Sequence, residues 1–169
     1  SCERSHIKIV KLLLSDERVD PSARNNSALK WSSYNGHIEI VKLLLSDTRV
    51  DPSADDNYAI KFASQSGHME VVKLLLSDER VDPSADDNYA IRLASKNGYI
   101  EIVKLLLSDE RVDPSAKNNY AITLARRKGH IEVVKLLLSD ERVDPSANDN
   151  YALRWASVHG HIDIVKSLL

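Results

Sequence analysis

The chain has 169 residues, a net charge of -2 and a single cysteine. A near-neutral charge gives no overall attraction to nucleic acid or to a membrane surface, and one cysteine excludes an internal disulfide framework. No apolar run approaches the ~20 residues that span a bilayer. We therefore expect a cytoplasmic protein, with the nucleus left open, and no membrane association.

All five prolines and all five glycines recur at one spacing of 31 residues. A period of roughly 20 to 50 residues is typical of stacked repeats. We therefore predict a single repeat array over residues 1–169. It comprises a partial repeat at 1–23, whole repeats at 24–54, 55–85, 86–116 and 117–147, and a shortened repeat at 148–169.

Each repeat is predicted to hold two helices and a loop. Helix A begins after an asparagine such as Asn88, a residue type that caps helix N-termini, and ends at a glycine such as Gly98. Helix B follows at once, from Tyr99 to about Ser108. The segment 112–116, Val-Asp-Pro-Ser-Ala, then forms a loop, because the residue before a proline favours extended geometry.

Helix B is apolar on nearly every side. In the second whole repeat, Glu70 and Lys73 are the only polar residues between Met69 and Leu76, and their spacing places them on one outward stripe. The remaining side chains need cover from the helices of neighbouring repeats. Stacking of repeats is therefore predicted to be the main source of stability.

Residues 36–45, Gly-His-Ile-Glu-Ile-Val-Lys-Leu-Leu-Leu, and their copies closely resemble the second helix of the ankyrin repeat, which opens with Gly-His-x-x-x-Val-x-x-Leu-Leu. The resemblance covers essentially the whole chain. It implies an all-α solenoid of helix-turn-helix repeats, in which helices A line a concave groove that contacts partner proteins. The tetratricopeptide repeat, about 34 residues long, is the architectural alternative, but it does not explain a proline-containing loop in every repeat.

The chain departs from the ankyrin pattern in two places. Tyr-Ala-Ile-Lys at 58–61 stands where the family has Thr-Pro-Leu-His, and the 31-residue repeat is shorter than the usual one of about 33. The loss falls in the loop. We therefore expect short, irregular finger loops with little or no β-strand.

Several residue types recur at one repeat position, and we expect each of these columns to belong to the scaffold. Packed helices lie about 8–10 Å apart, so one histidine column cannot close around a metal ion whose ligands lie ~2 Å away. An arginine and an aspartate column should compensate each other, and an apolar column on helix A should form inter-repeat core. These columns are His6, His37, His68, His130 and His161; Arg18, Arg49, Arg80, Arg111 and Arg142; Asp20, Asp51, Asp82, Asp113 and Asp144; and Trp31, Phe62, Leu93, Leu124 and Trp155.

The variable positions of helix A carry basic residues and no acidic one, whereas the variable loop tips are mostly acidic. The ankyrin resemblance implies that these helix A positions face the groove, so we expect a basic groove that binds an acidic stretch of another protein. The expected partner contacts are Lys30, Tyr34, Asn35, Lys61, Gln65, Arg92, Lys96, Arg126, Arg127, Lys128, Arg154 and His159. The loop tips are Arg24, Asp55, Asp56, Asp86, Asp87, Lys117 and Asp149.

Arg126 is the unusual member of this set, because the other repeats have a serine at its position. A long guanidinium in a small, packed position is unfavourable unless it reaches the groove or a neighbouring carboxylate. We expect one of these two placements.

The sequence contains no glycine-rich phosphate loop, no Cys/His dyad and no second half of a zinc-deaminase motif. We therefore expect a protein that is not an enzyme and that uses no cofactor and no metal. Two alternatives to protein binding stay open: weak binding of nucleic acid or another polyanion by the same groove, which the acidic tips oppose, and a spacer without a specific site, assembled by design or by recent duplication. We expect no obligate homo-oligomer.

Overall fold

The computed structural model describes residues 2–160, 162 and 165. These residues form ten helices and contain no β-strand, so the predicted all-α class is confirmed. The helix B predicted within the shortened repeat at 148–169 lies largely outside the described residues. The chain divides into two compact units, an N-terminal unit at Ser1–Ala85 and a C-terminal unit at Asp86–Leu169.

The helices alternate between the two predicted types along the chain. Helices A are α2 (Ala23–Tyr34), α4 (Ala54–Ser66), α6 (Ala85–Asn97), α8 (Ala116–Arg127) and α10 (Ala147–Val158). Helices B are α1 (Cys2–Leu14), α3 (Ile38–Leu45), α5 (Met69–Leu76), α7 (Ile100–Leu107) and α9 (Ile131–Leu138). The first of these, α1, is the helix B of the partial repeat.

The helices B supply most of the large buried side chains. In α5, Val71, Val72 and Leu75 are each 1% exposed or less. At about 1.5–3 kcal/mol for each buried aliphatic side chain, such residues dominate the free energy of folding. The polar stripe pairs its own charges at i,i+3 spacing, and the Glu39–Lys42 ion pair measures 2.7 Å. No described helix combines the length and the apolar character needed to cross a bilayer.

Within the bounds of α2, α4, α6 and α8, a single left-handed turn follows the first residue, and the right-handed helix begins after it. Three consecutive residues there have φ between 52° and 60° and ψ between 40° and 54°. L-amino acids avoid this region, and Asn and Asp tolerate it best among residues with a side chain. The requirement explains why these positions are rich in Asn and Asp. The turns are Arg24–Asn26, Asp55–Asn57, Asp86–Asn88 and Lys117–Asn119.

The last asparagine of each left-handed turn is buried and joins one repeat to the next. The Oδ1 atom of Asn57 accepts a hydrogen bond of 2.7 Å from the backbone N–H of Asp82, 25 residues later. The same bond joins Asn26 to Asp51 and Asn88 to Asp113. These side chains therefore accept a hydrogen bond from a backbone N–H in the loop that leads into the following repeat. The sequence predicted instead that they cap their own helices.

Side chains of the arginine column donate hydrogen bonds to backbone carbonyl groups at and after the C-termini of the helices B. Arg80 donates to the carbonyl oxygens of Val50 and Leu45 in the preceding repeat, at 3.0 and 3.2 Å. It also binds both carboxylate oxygens of Asp78.

The expected compensation between the arginine and aspartate columns acts through space: the hydrogen bond with Asp78 raises the pKa of Arg80, and the nearby charge of Asp51 adds to it. Asp82 accepts hydrogen bonds from Ser84 within its own loop.

The histidine column makes structural contacts, as predicted, at the two positions where its bonds are described. Nε2 of His68 lies 2.9 Å from the carbonyl oxygen of Tyr34, at the end of the preceding helix A. The imidazole ring lies against Gly36, where an added Cβ would come within 2.5 Å of Nδ1. Gly36 also has a φ of +74°, which residues with a side chain rarely adopt. Both the close imidazole and the backbone conformation therefore require glycine at this position. His130 makes the same contacts with Lys96 and Gly98.

Replacing Asp56 with glycine should raise the free energy of unfolding by roughly 0.5–1 kcal/mol, because glycine adopts the left-handed region without a steric penalty. Asp56 is exposed and has φ and ψ of 53° and 48°. Urea unfolding followed by circular dichroism measures the change. The control is Glu70→Gly in right-handed α5, which should lower stability by about 1 kcal/mol. Loss of stability in Asp56→Gly would contradict the left-handed turn.

The ion pair between Asp47 and Arg49 should make stability depend on pH. Hydrogen bonds from Arg49 lower the pKa of Asp47 from its ordinary 3.8 to about 2. A lowered pKa in the folded state stabilises the protein above pH 4, and this contribution disappears as the pH falls from about 4 to about 2. The stability difference between wild type and Asp47→Asn should therefore shrink over that interval. A stability difference that stays constant over that interval would exclude this coupling.

Candidate functional site

In the N-terminal unit, the predicted basic residues of helix A are occupied by contacts within the unit. Lys30 forms an ion pair with Asp55 at the next loop tip, and its Nζ atom lies 5.3 Å from the centre of the Tyr58 ring. The hydrogen bond from Lys30 lowers the pKa of Asp55. Lys61 is only 7% exposed. The charge of Lys30 is therefore largely neutralised, and that of Lys61 is largely buried.

The same unit carries an aromatic cluster that the charge pattern does not indicate. The ring of Tyr34 lies 5.9 Å from that of Trp31 and 6.4 Å from that of Phe62, and Tyr58 stacks on Phe62 at 3.8 Å. Trp31 is 58% exposed, so the prediction that it belongs to the inter-repeat core is wrong. Its equivalents Leu93 and Trp155 are buried, as predicted, at 6% and 8%.

The other predicted contacts of this unit lie at the end of helix A. Asn35 is exposed, and its side-chain amide donates to the carbonyl oxygen of Trp31 at 2.8 Å. This bond joins the side chain to the last turn of α2. Gln65 is half-buried at the end of α4. Arg24, Asp55 and Asp56 are exposed at the loop tips, as predicted.

In the C-terminal unit, Arg92 is a buried cation. It is 5% exposed, and one Nη atom donates to the carbonyl oxygen of Asp86 at 3.0 Å. Its guanidinium lies 4.8 Å from the centre of the Tyr89 ring and 5.8 Å from that of Tyr120. Nε is buried and has no hydrogen-bond partner. Arg92 was expected on the accessible surface, and the structure instead uses it to hold the left-handed turn against two tyrosines.

The loop tips of this unit are partly neutralised by one another. Lys117 pairs with Asp87 at 2.8 Å, and this bond lowers the pKa of Asp87. Asp86 is exposed beside them. The side chain of Asp149 lies outside the described residues.

Four cations of this unit, at the C-terminal ends of α6 and α8 and on α10, are exposed. No ion pair or side-chain hydrogen bond engages them within the described part of the chain. They are Lys96, Arg127, Lys128 and Arg154. Lys96 and Arg127 occupy one repeat position on α6 and α8, whose loops are joined by the Lys117–Asp87 pair. This position therefore presents two unneutralised positive charges on helices of adjoining repeats.

The guanidinium of Arg126 lies 5.8 Å from the centre of the Trp155 indole ring. Trp155 also packs against His159, with ring centres 5.0 Å apart, and Nδ1 of His159 lies 2.9 Å from the carbonyl oxygen of Trp155. A cation over an aromatic face is held electrostatically. Arg126 is therefore a positioned, half-buried member of the basic set.

The described residues contain no group of three or more His, Cys, Asp or Glu side chains arranged to hold a metal ion. The surface offers hydrogen-bond donors, cations and aromatic rings. These groups are suited to recognising another molecule.

A family model of ankyrin repeats matches the chain in three copies, at residues 1–56, 46–118 and 91–169. The chain belongs to the ankyrin repeat family. Ankyrin repeats are generally protein-protein interaction modules, and proteins built from them are typically non-enzymatic scaffolds. A comparison with curated proteins returned no match.

Replacing Arg92 with methionine should change the free energy of unfolding by less than about 1 kcal/mol or raise it, because a buried, incompletely bonded cation contributes little net stability. The control is Arg142→Met. Arg142 binds Asp140 and the carbonyl oxygens of Val112 and Leu107, so its loss leaves several groups unsatisfied and should cost about 2 kcal/mol or more. Thermal unfolding compares the two. A larger loss for Arg92→Met than for Arg142→Met would show that Arg92 is a principal scaffold residue.

Proposed function

We propose that this ankyrin repeat chain is a non-catalytic module that binds an acidic segment of a partner protein through the exposed basic ends of α6 and α8. The observation that carries the proposal is the absence of an ion pair at Lys96, Arg127 and Lys128 among the described residues. Lys30, Arg92 and Lys117 instead contact groups of the protein itself. The unpaired cations remain available for carboxylates from outside.

The chemistry of the surface favours carboxylates on an extended chain. Arg127 can hold one carboxylate with two parallel hydrogen bonds, and the two lysines can follow neighbouring charges as the segment passes. Exposed ion pairs contribute only about 0.2–1 kcal/mol each, so several must act together. We therefore expect moderate affinity that falls as salt is added, and electrostatic steering of the encounter.

Arg126 and Trp155 supply a more rigid element beside these charges. The indole ring restricts the guanidinium of Arg126, so less conformational entropy is lost when a carboxylate binds it. Arg154 is exposed on α10 and extends the basic surface. His159 stands next to Trp155 and completes the set.

Polyanions such as nucleic acid are the weaker candidates for this surface. Asp86 is exposed on the loop tip of the same unit, and the neighbouring Asp87 is only partly neutralised by Lys117. A continuous phosphate backbone would meet these carboxylates, whereas a short acidic peptide segment can stop before them. If the chain were only a spacer, the unpaired cations would bind no ligand, and neither the peptide nor nucleic acid would bind at physiological salt.

The test uses a labelled peptide of alternating glutamate and glycine, titrated with the full chain at physiological salt and followed by fluorescence anisotropy. Arg127→Ser combined with Lys128→Asn should weaken binding about tenfold, equivalent to about 1.4 kcal/mol. Arg126 is retained in this variant because it packs on Trp155.

The control makes the same change of net charge with two lysines that are paired with glutamates on the helices B of the same unit, Lys104→Ser with Lys135→Ser. This variant should bind the peptide as well as wild type does. Equal weakening of peptide binding in both variants would show that binding depends only on the net charge of the chain. If a single-stranded oligonucleotide binds more tightly than the peptide at the same salt, the ligand is a nucleic acid and the proposed acidic protein segment is wrong.

A further inference from the structure

A cavity of about 440 Å³ lies in the N-terminal unit between the C-terminal ends of α1 and α3. Three residues that line it carry hydroxyl groups, Ser15, Ser46 and Thr48. Ser15 and Ser46 donate to the carbonyl oxygens of Leu12 and Leu43, at 2.8 and 2.7 Å. The hydroxyl of Thr48 has no hydrogen bond within the described part of the chain, and Thr48 is exposed in the loop after α3. Its hydroxyl is therefore accessible to another molecule.

Thr48 occupies a repeat position that is otherwise acidic. The equivalent residues are Glu17, Glu79, Glu110 and Glu141. Hydrogen bonding to Asp140 raises the pKa of Arg142, and the charge of Glu110, in the preceding repeat, raises it further. For Arg49 the corresponding groups are Asp47 and Glu17. An acidic residue at this position therefore supplies negative charge to the arginine of the following repeat.

Arg80 is the arginine that follows Thr48 by one repeat, and it lacks this contribution because threonine is uncharged. Its guanidinium nevertheless binds the loop that holds Thr48, through the carbonyl oxygens of Leu45 and Val50 at 3.2 and 3.0 Å. A guanidinium has five N–H groups, and four of them are used by these two carbonyls and by Asp78. One N–H of Nη1 is therefore left to donate to a further acceptor.

The cavity beside Thr48 contains a second cation. In α3, α7 and α9 the lysine of the polar stripe pairs with a glutamate three residues earlier. In α1 that glutamate is replaced by Lys8, and Lys11, which lines the cavity, has no ion pair among the described residues. Asp47 also lines the cavity, but Arg49 binds both of its carboxylate oxygens. The surroundings of Thr48 therefore favour an added negative charge.

We propose that Thr48 is a phosphorylation site, modified by a protein kinase that uses a nucleoside triphosphate. A bond forms between Oγ1 of Thr48 and the γ-phosphorus, and the bond from that phosphorus to the oxygen bridging the β- and γ-phosphates breaks. The hydroxyl proton passes to the catalytic base of the kinase, and the nucleoside diphosphate leaves. The phosphate carries a charge of about -1.5 to -2 and restores the negative charge of this repeat position beside Lys11 and Arg80.

Acidic residues flank the acceptor, since Asp47 precedes Thr48 and Asp51 follows it by three positions. A kinase with a basic substrate groove is therefore the complementary enzyme. Ser53 and Ser84 also lie three positions before an aspartate, but both are half-buried, and their hydroxyls donate to aspartates of their own loops. These two serines serve as internal controls.

The first experiment incubates the full chain with casein kinase II and magnesium ATP and locates the phosphate by mass spectrometry. We expect one phosphoryl group, on Thr48, and none in the Thr48→Val variant, which keeps the shape of the side chain and lacks the hydroxyl. Absence of phosphate on Thr48, or faster modification of Ser53 or Ser84, overturns the proposal.

The second experiment titrates the phosphorylated chain with pH and follows the phosphate by phosphorus NMR. The ordinary second pKa of such a phosphate is about 6. Nearby cations should hold it about 1 below the pKa of a peptide of residues 43–53 phosphorylated on Thr48, because an opposite charge favours the ionised form. An equal or higher pKa in the chain would show that the aspartates outweigh the cations and would overturn the proposed surroundings.

A pair of variants separates Lys11 from the net charge of the chain. Lys11→Met should remove about half of the difference in pKa between chain and peptide. Lys104→Met removes the same charge at the equivalent position of α7, where the lysine pairs with Glu101, and should leave the phosphate pKa unchanged. Equal effects of the two variants would show that Lys11 does not contact the phosphate and would overturn its role.

Discussion

The structure depends on one constraint: the helices B are apolar on almost every side and cannot be covered by their own helix A alone. Val71, Val72 and Leu75 are almost fully buried, and α5 packs against α4 of its own repeat and against α3 of the preceding repeat. Each repeat thus obtains its stability from adjoining repeats. The polar contacts between repeats contribute less to the free energy of folding, because a hydrogen bond adds only about 0.5–1.5 kcal/mol net.

Three of these polar contacts use side chains that reach across a repeat boundary. Arginines reach backward to the end of helix B, histidines reach backward to the end of helix A, and asparagines reach forward to the next loop. Each satisfies a backbone group that the end of a helix or a tight loop would otherwise leave unpaired. The loop can therefore be short and lack a β-hairpin, because side chains replace the hydrogen bonds that strands would supply.

Much of this architecture was predictable from the sequence, since the spacing of Gly and Pro and the pattern of helix B indicate the order of elements. The left-handed turns were not predictable, because Asn and Asp tolerate positive φ but also cap right-handed helices, and no glycine distinguishes the two conformations. The partner of Arg80 was also not predictable, because the choice between Asp78 and Asp82 depends on the loop backbone. In the candidate site, the exposure of Lys96, Arg127 and Lys128 agrees with expectation. The burial of Lys61 and Arg92 does not, because lysine and arginine are usually exposed and the tyrosines that cover Arg92 come from two different repeats.

The contacts between repeats join residues that are 25, 30, 34 and 35 positions apart, in a sequence whose period is 31. A genetic duplication or deletion of any contiguous 31 residues within the array leaves each such contact with a partner residue of the same repeat position. The boundaries of the duplicated segment are immaterial, and they can fall in the middle of a helix. Recombination between copies can therefore change the number of repeats without selection for particular crossover points.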